Sequence, residues 1–130
     1  MQHDIEIEVR YAETDAQGVV HHANYFTYFE LARVRFLAAM GFEYAELERQ
    51  GAYLVVHSVS CRYIQPARFG DIVRVVTTIE RVTSARIDHS YQVFRGEELL
   101  VEGKSTIACV NAQGQIQRIP EFIFNLKLPE

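Results

Sequence analysis

Residues 4 to 11 alternate without a break. Ile5, Ile7, Val9 and Tyr11 fall on one face and Asp4, Glu6, Glu8 and Arg10 on the other, which predicts a half-buried strand. Residues 12 to 23 follow no period and are interrupted by Gly18, so a loop is expected there. From Asn24 to about Met40 the period becomes helical, with Asn24 suited to the N-cap. Tyr25, Phe29, Ala32, Phe36 and Met40 form one apolar row, which Phe26, Tyr28, Leu37 and Ala39 widen to about half the circumference. Thr27, Glu30 and Arg33 are assigned to the opposite side. So broad a stripe calls for an apolar partner larger than one neighbouring helix. Gly41 suits the C-terminal cap, and a short helical turn follows at Tyr44 to Arg49, ended by Gly51.

The remainder reads as strand. Tyr53 to Gln65 puts Tyr53, Val55, His57, Val59, Cys61 and Tyr63 on one face and Ser58, Ser60 and Arg62 on the other, and Pro66 ends it. Residues 72 to 82 align Val73, Val75, Thr77 and Ile79, and residues 86 to 95 align Ile87, His89, Tyr91 and Val93. A hairpin turn at 95 to 98 leads into a long last strand over 99 to 110, closed by 111 to 114. Pro120 suits the first position of a short terminal helix running to about Lys127. The order is strand, long helix, then four strands with short connections, which are mostly antiparallel neighbours. The expectation is an α+β fold, an antiparallel five-stranded sheet wrapped around one long central helix. Such a sheet has free edges, and Ser58, Ser60, Ala108 and Val110 leave its outer face small or apolar in places. A homo-oligomer is expected, a dimer by edge-to-edge strand pairing or a tetramer by sheet stacking.

Composition narrows the class. With 130 residues the chain holds one core, so residues 1–130 are read as a single domain. At 48% hydrophobic residues, seven Tyr and eight Phe it is not a disordered chain. No run approaches the ~20 apolar residues of a membrane span. The opening alternates at once instead of presenting a basic start and an apolar stretch, so a cytoplasmic location is expected. A formal net charge of −4 argues against nucleic acid as partner. The basic residues are eleven Arg and two Lys. Cys61 and Cys109 lie in apolar alternating runs and read as buried free thiols, and no metal-ligand spacing occurs, so neither metal nor cofactor is expected.

The chemistry concentrates in Tyr11 to Tyr25. That stretch places Asp15, a Gly turn and the pair His21-His22 in one loop feeding a helix N-terminus. Such a terminus carries unpaired amides and partial positive charge, and can hold a developing oxyanion. A carboxylate beside it stays ionised and can act as nucleophile or general base. Asp before a helix also serves simply as a cap or turn residue, and a His pair as surface.

The stretch resembles the active-site segment of the hotdog-fold thioesterases of the 4-hydroxybenzoyl-CoA thioesterase family, matching at Asp15, Gly18, Val19, Val20, His22, Asn24, Tyr25, Phe29, Glu30 and Arg33. A second match covers Tyr63-Ile-Gln-Pro66-Ala-Arg68-Phe-Gly70-Asp71, and a third Gly114 to Glu121. The likeness runs from about Ile5 to Leu126. It implies a hotdog fold and hydrolysis of an acyl-CoA thioester at a dimer interface. It carries the catalytic carboxylate onto Asp15 and carbonyl polarisation onto backbone amides among His22, Ala23, Asn24 and Tyr25. His22 is a candidate catalytic or orienting residue, or a wall of the site. Gly18, Val19, His21, Tyr25, Phe29 and His57 are candidates for contact with the acyl group, His57 and His89 otherwise reading as core. An acidic chain that binds CoA phosphates needs local Arg, and Arg62, Arg68 and Arg86 are the candidates. A hydratase of the same fold, whose Asp-x-Asn-Pro-x-His arrangement is absent, and a non-catalytic binder of acyl-CoA or acyl carrier protein are the alternatives.

Overall fold

The computed structural model describes residues 1–125; the last part of the expected terminal helix, to Lys127, lies outside them. Strand β1 (Gln2–Glu8) leads through a single 3-10 turn (Tyr11–Glu13) and a loop into α1 (Asn24–Ala39) and α2 (Tyr44–Arg49). Then come β2 (Tyr53–Tyr63), β3 (Ile72–Val82), β4 (Ile87–Arg95), β5 (Glu98–Val110), the two-residue β6 (Ile116–Gln117) and α3 (Glu121–Phe124). The strands form one antiparallel sheet in the order β1-β3-β4-β5-β2, and β6 extends it beside the end of β5. The sheet wraps α1, the expected hotdog arrangement. The short β6, which periodicity did not announce, is an addition to the five expected strands.

Helix α1 buries Tyr25, Tyr28, Phe29, Ala32, Phe36 and Leu37 against the sheet, the large side chains contributing about 1.5–3 kcal/mol each. Two assignments along it change. Asn24 is the first helical residue, preceded by Ala23 in helical conformation, and its side chain donates to the Glu13 carbonyl instead of capping. Arg33 is buried, not solvent-facing, because it lies four residues from Phe29 and from Leu37 within the same stripe. Both helices end in a left-handed glycine with a 6→1 bond, Phe42 to Leu37 after Gly41 and Ala52 to Leu47 after Gly51.

The inner face of the sheet has two apolar clusters, one under each half of α1. Arg33, Thr77, His89 and Ser105 are the buried polar residues of this interior, with the Tyr91 hydroxyl 2.6 Å from the Ser105 Oγ. Phe29 stacks on Tyr91 at 4.3 Å between centroids and presses on Gly103, where a Cβ would collide with its ring.

Strand β2 departs from the sequence reading. His57 is the extra residue of a bulge, since Val56 pairs with Ile107 and Ser58 with Thr106. The alternation therefore flips there. Val59, Cys61 and Tyr63 share the inward face of Ser105, Gly103 and Val101, whereas Tyr53 and Val55 share the outward face of Val110 and Ala108. His57 itself is exposed, which corrects its reading as a core residue. Val56 and Val59 stay 46% and 37% exposed although they face inward, because β2 is an edge strand that α1 only partly covers.

The link from β2 to β3 reaches the loop between β1 and α1. The two strands lie three spacings apart, about 14 Å, and residues 64–71 cross the end of the sheet to join them. That crossing brings the segment around Pro66 under the loop between β1 and α1. Val20 N–H donates to the Ala67 carbonyl and Val19 bridges to Arg68.

Candidate active site

The loop carrying Asp15 is a tight reversal. Asp15 N–H donates to the Val19 carbonyl and Gly18 N–H to the Asp15 carbonyl, both at 2.9 Å, with Gly18 at φ +80°. Asp15 is half-buried, and its Oδ1 accepts the Gln17 N–H at 2.9 Å. This contact is that of a turn residue, and it also fixes the direction of the carboxylate.

From Val20 the chain turns into α1. His21 N–H donates to the Glu13 carbonyl at 2.8 Å, and His21 Nδ1 accepts the Ala23 N–H at 3.1 Å. Asn24 N–H donates to the His21 carbonyl. The Ala23 and Asn24 amides are thereby engaged, which leaves those of His22 and Tyr25 as the candidates for a substrate oxygen at the helix start. The His21 and His22 rings stack at 4.1 Å, both on the exposed side. The His22 carbonyl accepts the Tyr63 hydroxyl at 2.9 Å, which pins the helix start to the end of β2. Burial, with Cys61 beside it, pushes the Tyr63 phenol up to about 12, so it remains a donor. Val19, Val20, His22, Tyr25, Tyr63 and Ile64 line a small apolar cleft at this corner. Tyr25 is 2% exposed, so it contributes the cleft's floor.

The hub of the loop is a residue that the sequence reading passed over. Glu13 is 7% exposed. Its Oε1 accepts the Arg10 N–H at 2.8 Å and the Tyr28 hydroxyl at 2.9 Å, and its Oε2 faces the Arg10 guanidinium at 3.2 Å. Burial alone would raise the Glu13 carboxyl, but the Arg10 N–H, the Tyr28 hydroxyl and the Arg10 side chain together hold it below the usual value. Burial, and then Glu13, raises the Tyr28 phenol, which keeps its proton. One local signal existed. Glu13 sits three residues after Arg10 and reaches back to its amide, the acidic half of a capping box.

The other candidates scatter. Phe29 is fully buried against its own sheet, so its place is in packing, not at the cleft. His57 sits exposed at the β2 bulge. Arg62 faces outward opposite Glu102, while Arg68, six residues on, lays its guanidinium near Gly18 above the Asp15 turn. Arg86 pairs with Asp88 at 3.4 Å in the β3–β4 turn, at the end of the sheet away from this loop. The crossing segment is clamped by Asp71, which accepts the Arg68 N–H at 2.9 Å and Arg95 Nη1 at 2.7 Å. The Arg68 amide and then Arg95 hold its carboxyl low against the cost of burial.

Residues 9–125 match the thioesterase-like superfamily. The acyl-CoA thioesterase YbgC of Haemophilus influenzae is 33% identical over 106 residues, which are 81% of this chain and 78% of that protein. Among solved structures, the DHNA-CoA thioesterase of Staphylococcus aureus superposes with a TM-score of 0.87 at 34% identity, covering 90% of this chain and 80% of the other. The hypothetical protein TT1821 of Thermus thermophilus reaches 0.89 at 40% identity, covering 95% and 93%.

Proposed function

This chain belongs to the thioesterase-like superfamily, and on that premise we propose that it hydrolyses a small aryl- or acyl-CoA thioester to the free acid and CoA, with Asp15 as the reacting carboxylate. The observation that supports this is the placement of the Asp15 turn beside the start of α1, the two joined through the Glu13 carbonyl. The helix start favours negative charge on a carbonyl oxygen, and the His22 and Tyr25 amides are assigned to it. Two routes fit. In one, an Asp15 oxygen bonds to the thioester carbon, the C–S bond breaks, sulfur departs as the CoA thiolate, and water cleaves the resulting anhydride. In the other, Asp15 takes a proton from a water whose oxygen attacks the same carbon, and the same C–S bond breaks. A thiol resembling Cys, with a pKa of about 8.5, leaves with little help from an acid, so His22 serves as an orienting residue or a wall of the site. Arg68, beside the Asp15 turn, is the preferred contact for CoA phosphate. The chain assembles through its β2 edge into a dimer, or into a tetramer by stacking of sheets.

The competing reading is a non-catalytic acyl-CoA binder in which Asp15 only holds its turn, and the Gln17 contact favours it. Asp15→Asn separates the two, because Asn keeps the oxygen that accepts the Gln17 N–H and removes the charge. The expected outcome is a folded protein whose thioester hydrolysis falls by about 10²-fold or more. Near-normal turnover from that folded variant refutes the proposal.

A further inference from the structure

Glu13 holds four parts of the loop at once. Its carboxylate accepts the Arg10 N–H and the Tyr28 hydroxyl, which ties the end of β1 to the second turn of α1. Its carbonyl accepts the His21 N–H at 2.8 Å and the Asn24 Nδ2–H at 3.0 Å, which ties the same residue to the chain entering α1 and to the helix's first residue. Asp15 follows two residues later and closes its own turn onto Val19. Asp15 and the helix-start amides are therefore both suspended from Glu13. No bond runs directly from the Glu13 carboxylate to Asp15, His22 or the cleft.

We propose that Glu13 is the positioning residue of the site, acting through its buried hydrogen bonds to set the distance between the Asp15 carboxylate and the amides at the start of α1. This inference rests on the reading of Asp15 as the reacting group. Its physical basis is the steepness with which rate follows geometry: displacing a reacting group by about 1 Å costs on the order of 10²-fold. Removing the carboxylate frees the Arg10 amide and the Tyr28 hydroxyl together, so the loop loses its attachment to the helix on one side while Asp15 itself remains intact. The positioning needs an oxygen acceptor at Oε1, not a charge. Gln at this position keeps that acceptor, and Arg10, exposed along its side chain, can turn its guanidinium away from the new amide.

The test uses the full chain, benzoyl-CoA as substrate and a chromogenic thiol trap. Glu13→Ala is expected to lower kcat by about 10²-fold with KM changed by less than about threefold. Glu13→Gln is expected to restore kcat to within several-fold of the wild type. In an Asp15→Asn background Glu13→Ala should cost nothing further, because there is no longer a reacting carboxylate to position. Three results each overturn the proposal: near-normal kcat in folded Glu13→Ala, a Gln variant as slow as the Ala variant, or the same fold-loss in both backgrounds. If Glu13→Ala does not fold, Tyr28→Phe carries the test, since it deletes the bond between α1 and the carboxylate alone. A several-fold loss in kcat at constant KM supports the proposal, and an unchanged kcat overturns it. The two readings fail separately. A slow Asp15→Asn beside a normal Glu13→Ala removes only the role of Glu13, whereas a normal Asp15→Asn removes both.

Discussion

His89 makes the stability of this protein depend on pH in a predictable window. It is 7% exposed on the inner face of β4, and among the described residues no hydrogen-bond partner meets its Nδ1. Burial, and then the neighbouring positive charge of Arg33, depress its pKa from 6.5 to about 4, with Asp88 opposing weakly. The folded protein therefore keeps His89 neutral down to about pH 4, while the unfolded chain protonates it near 6.5. Above pH 6.5 neither state binds the proton and the full stability is present. Between those values the unfolded state binds one proton more, so stability falls as pH falls, by up to about 1.4 kcal/mol per pH unit. The whole window is worth about 3 kcal/mol, and the fall from pH 7 to pH 5 about 2 kcal/mol. Holding the range above pH 5 avoids Glu13, whose depressed carboxyl contributes stability that is lost only at lower pH. Urea denaturation followed by far-UV circular dichroism suits a chain without Trp, run at one protein concentration so that assembly does not shift the midpoint. His89→Leu is expected to abolish this part of the slope, leaving the other four histidines to act equally in both proteins. Parallel pH profiles for the wild type and His89→Leu would refute the reasoning.

Three further outcomes are expected. Gly103→Ala should lose at least about 1–3 kcal/mol, seen as a lowered Tm, because the new methyl meets the Phe29 ring and the Ser60 carbonyl oxygen behind it; an unchanged Tm would show that the ring is not seated there. Arg68→Ala should raise KM for CoA substrates about tenfold with little change in kcat, the signature of a contact made equally in ground and transition states, and an unchanged KM would remove Arg68 from the CoA site. Light scattering at micromolar concentration should give a dimer or tetramer mass, and a fully active monomer would refute assembly through the β2 edge.

Most of the elements were legible because their signals are local. Strand β3 begins where its alternation does and keeps it through Ile79, before a bulge at Glu80, and α1 ends at a glycine that only a left-handed backbone position needs. Where a tertiary neighbour overrides the local rule, the pattern misled. Charge placed Arg33 outside, although its position in the stripe and the tyrosines around it carry it inside. Alternation carried straight through His57 because a bulge adds one residue without changing composition. Phe29 of α1, read as a candidate for acyl contact, is packed against Tyr91 and Gly103 from two strands, β4 and β5.

The candidate site divides along the same line. The turn at Asp15 to Gly18 and the start of the helix are properties of about ten consecutive residues, and short-range geometry is enough to specify them. Glu13 became visible as the hub only when Tyr28, fifteen residues away on a different element, turned its hydroxyl toward it. Arg62 and Arg68 are close in sequence, but Arg62 stays on the outward face of β2 while Arg68 reaches the Asp15 turn, because the chain between them turns the corner at the end of the sheet. By itself the sequence determined the order of strands and helix and singled out the loop and the carboxylate proposed here for the chemistry, since periodicity, turn residues and a motif are all encoded by near neighbours. Only the tertiary structure decided that β2 would leave its neighbour β3 to pair with β5. That choice sends residues 64–71 across the sheet to meet the Asp15 loop, and it rests on contacts between strands far apart in the chain, which no local window contains.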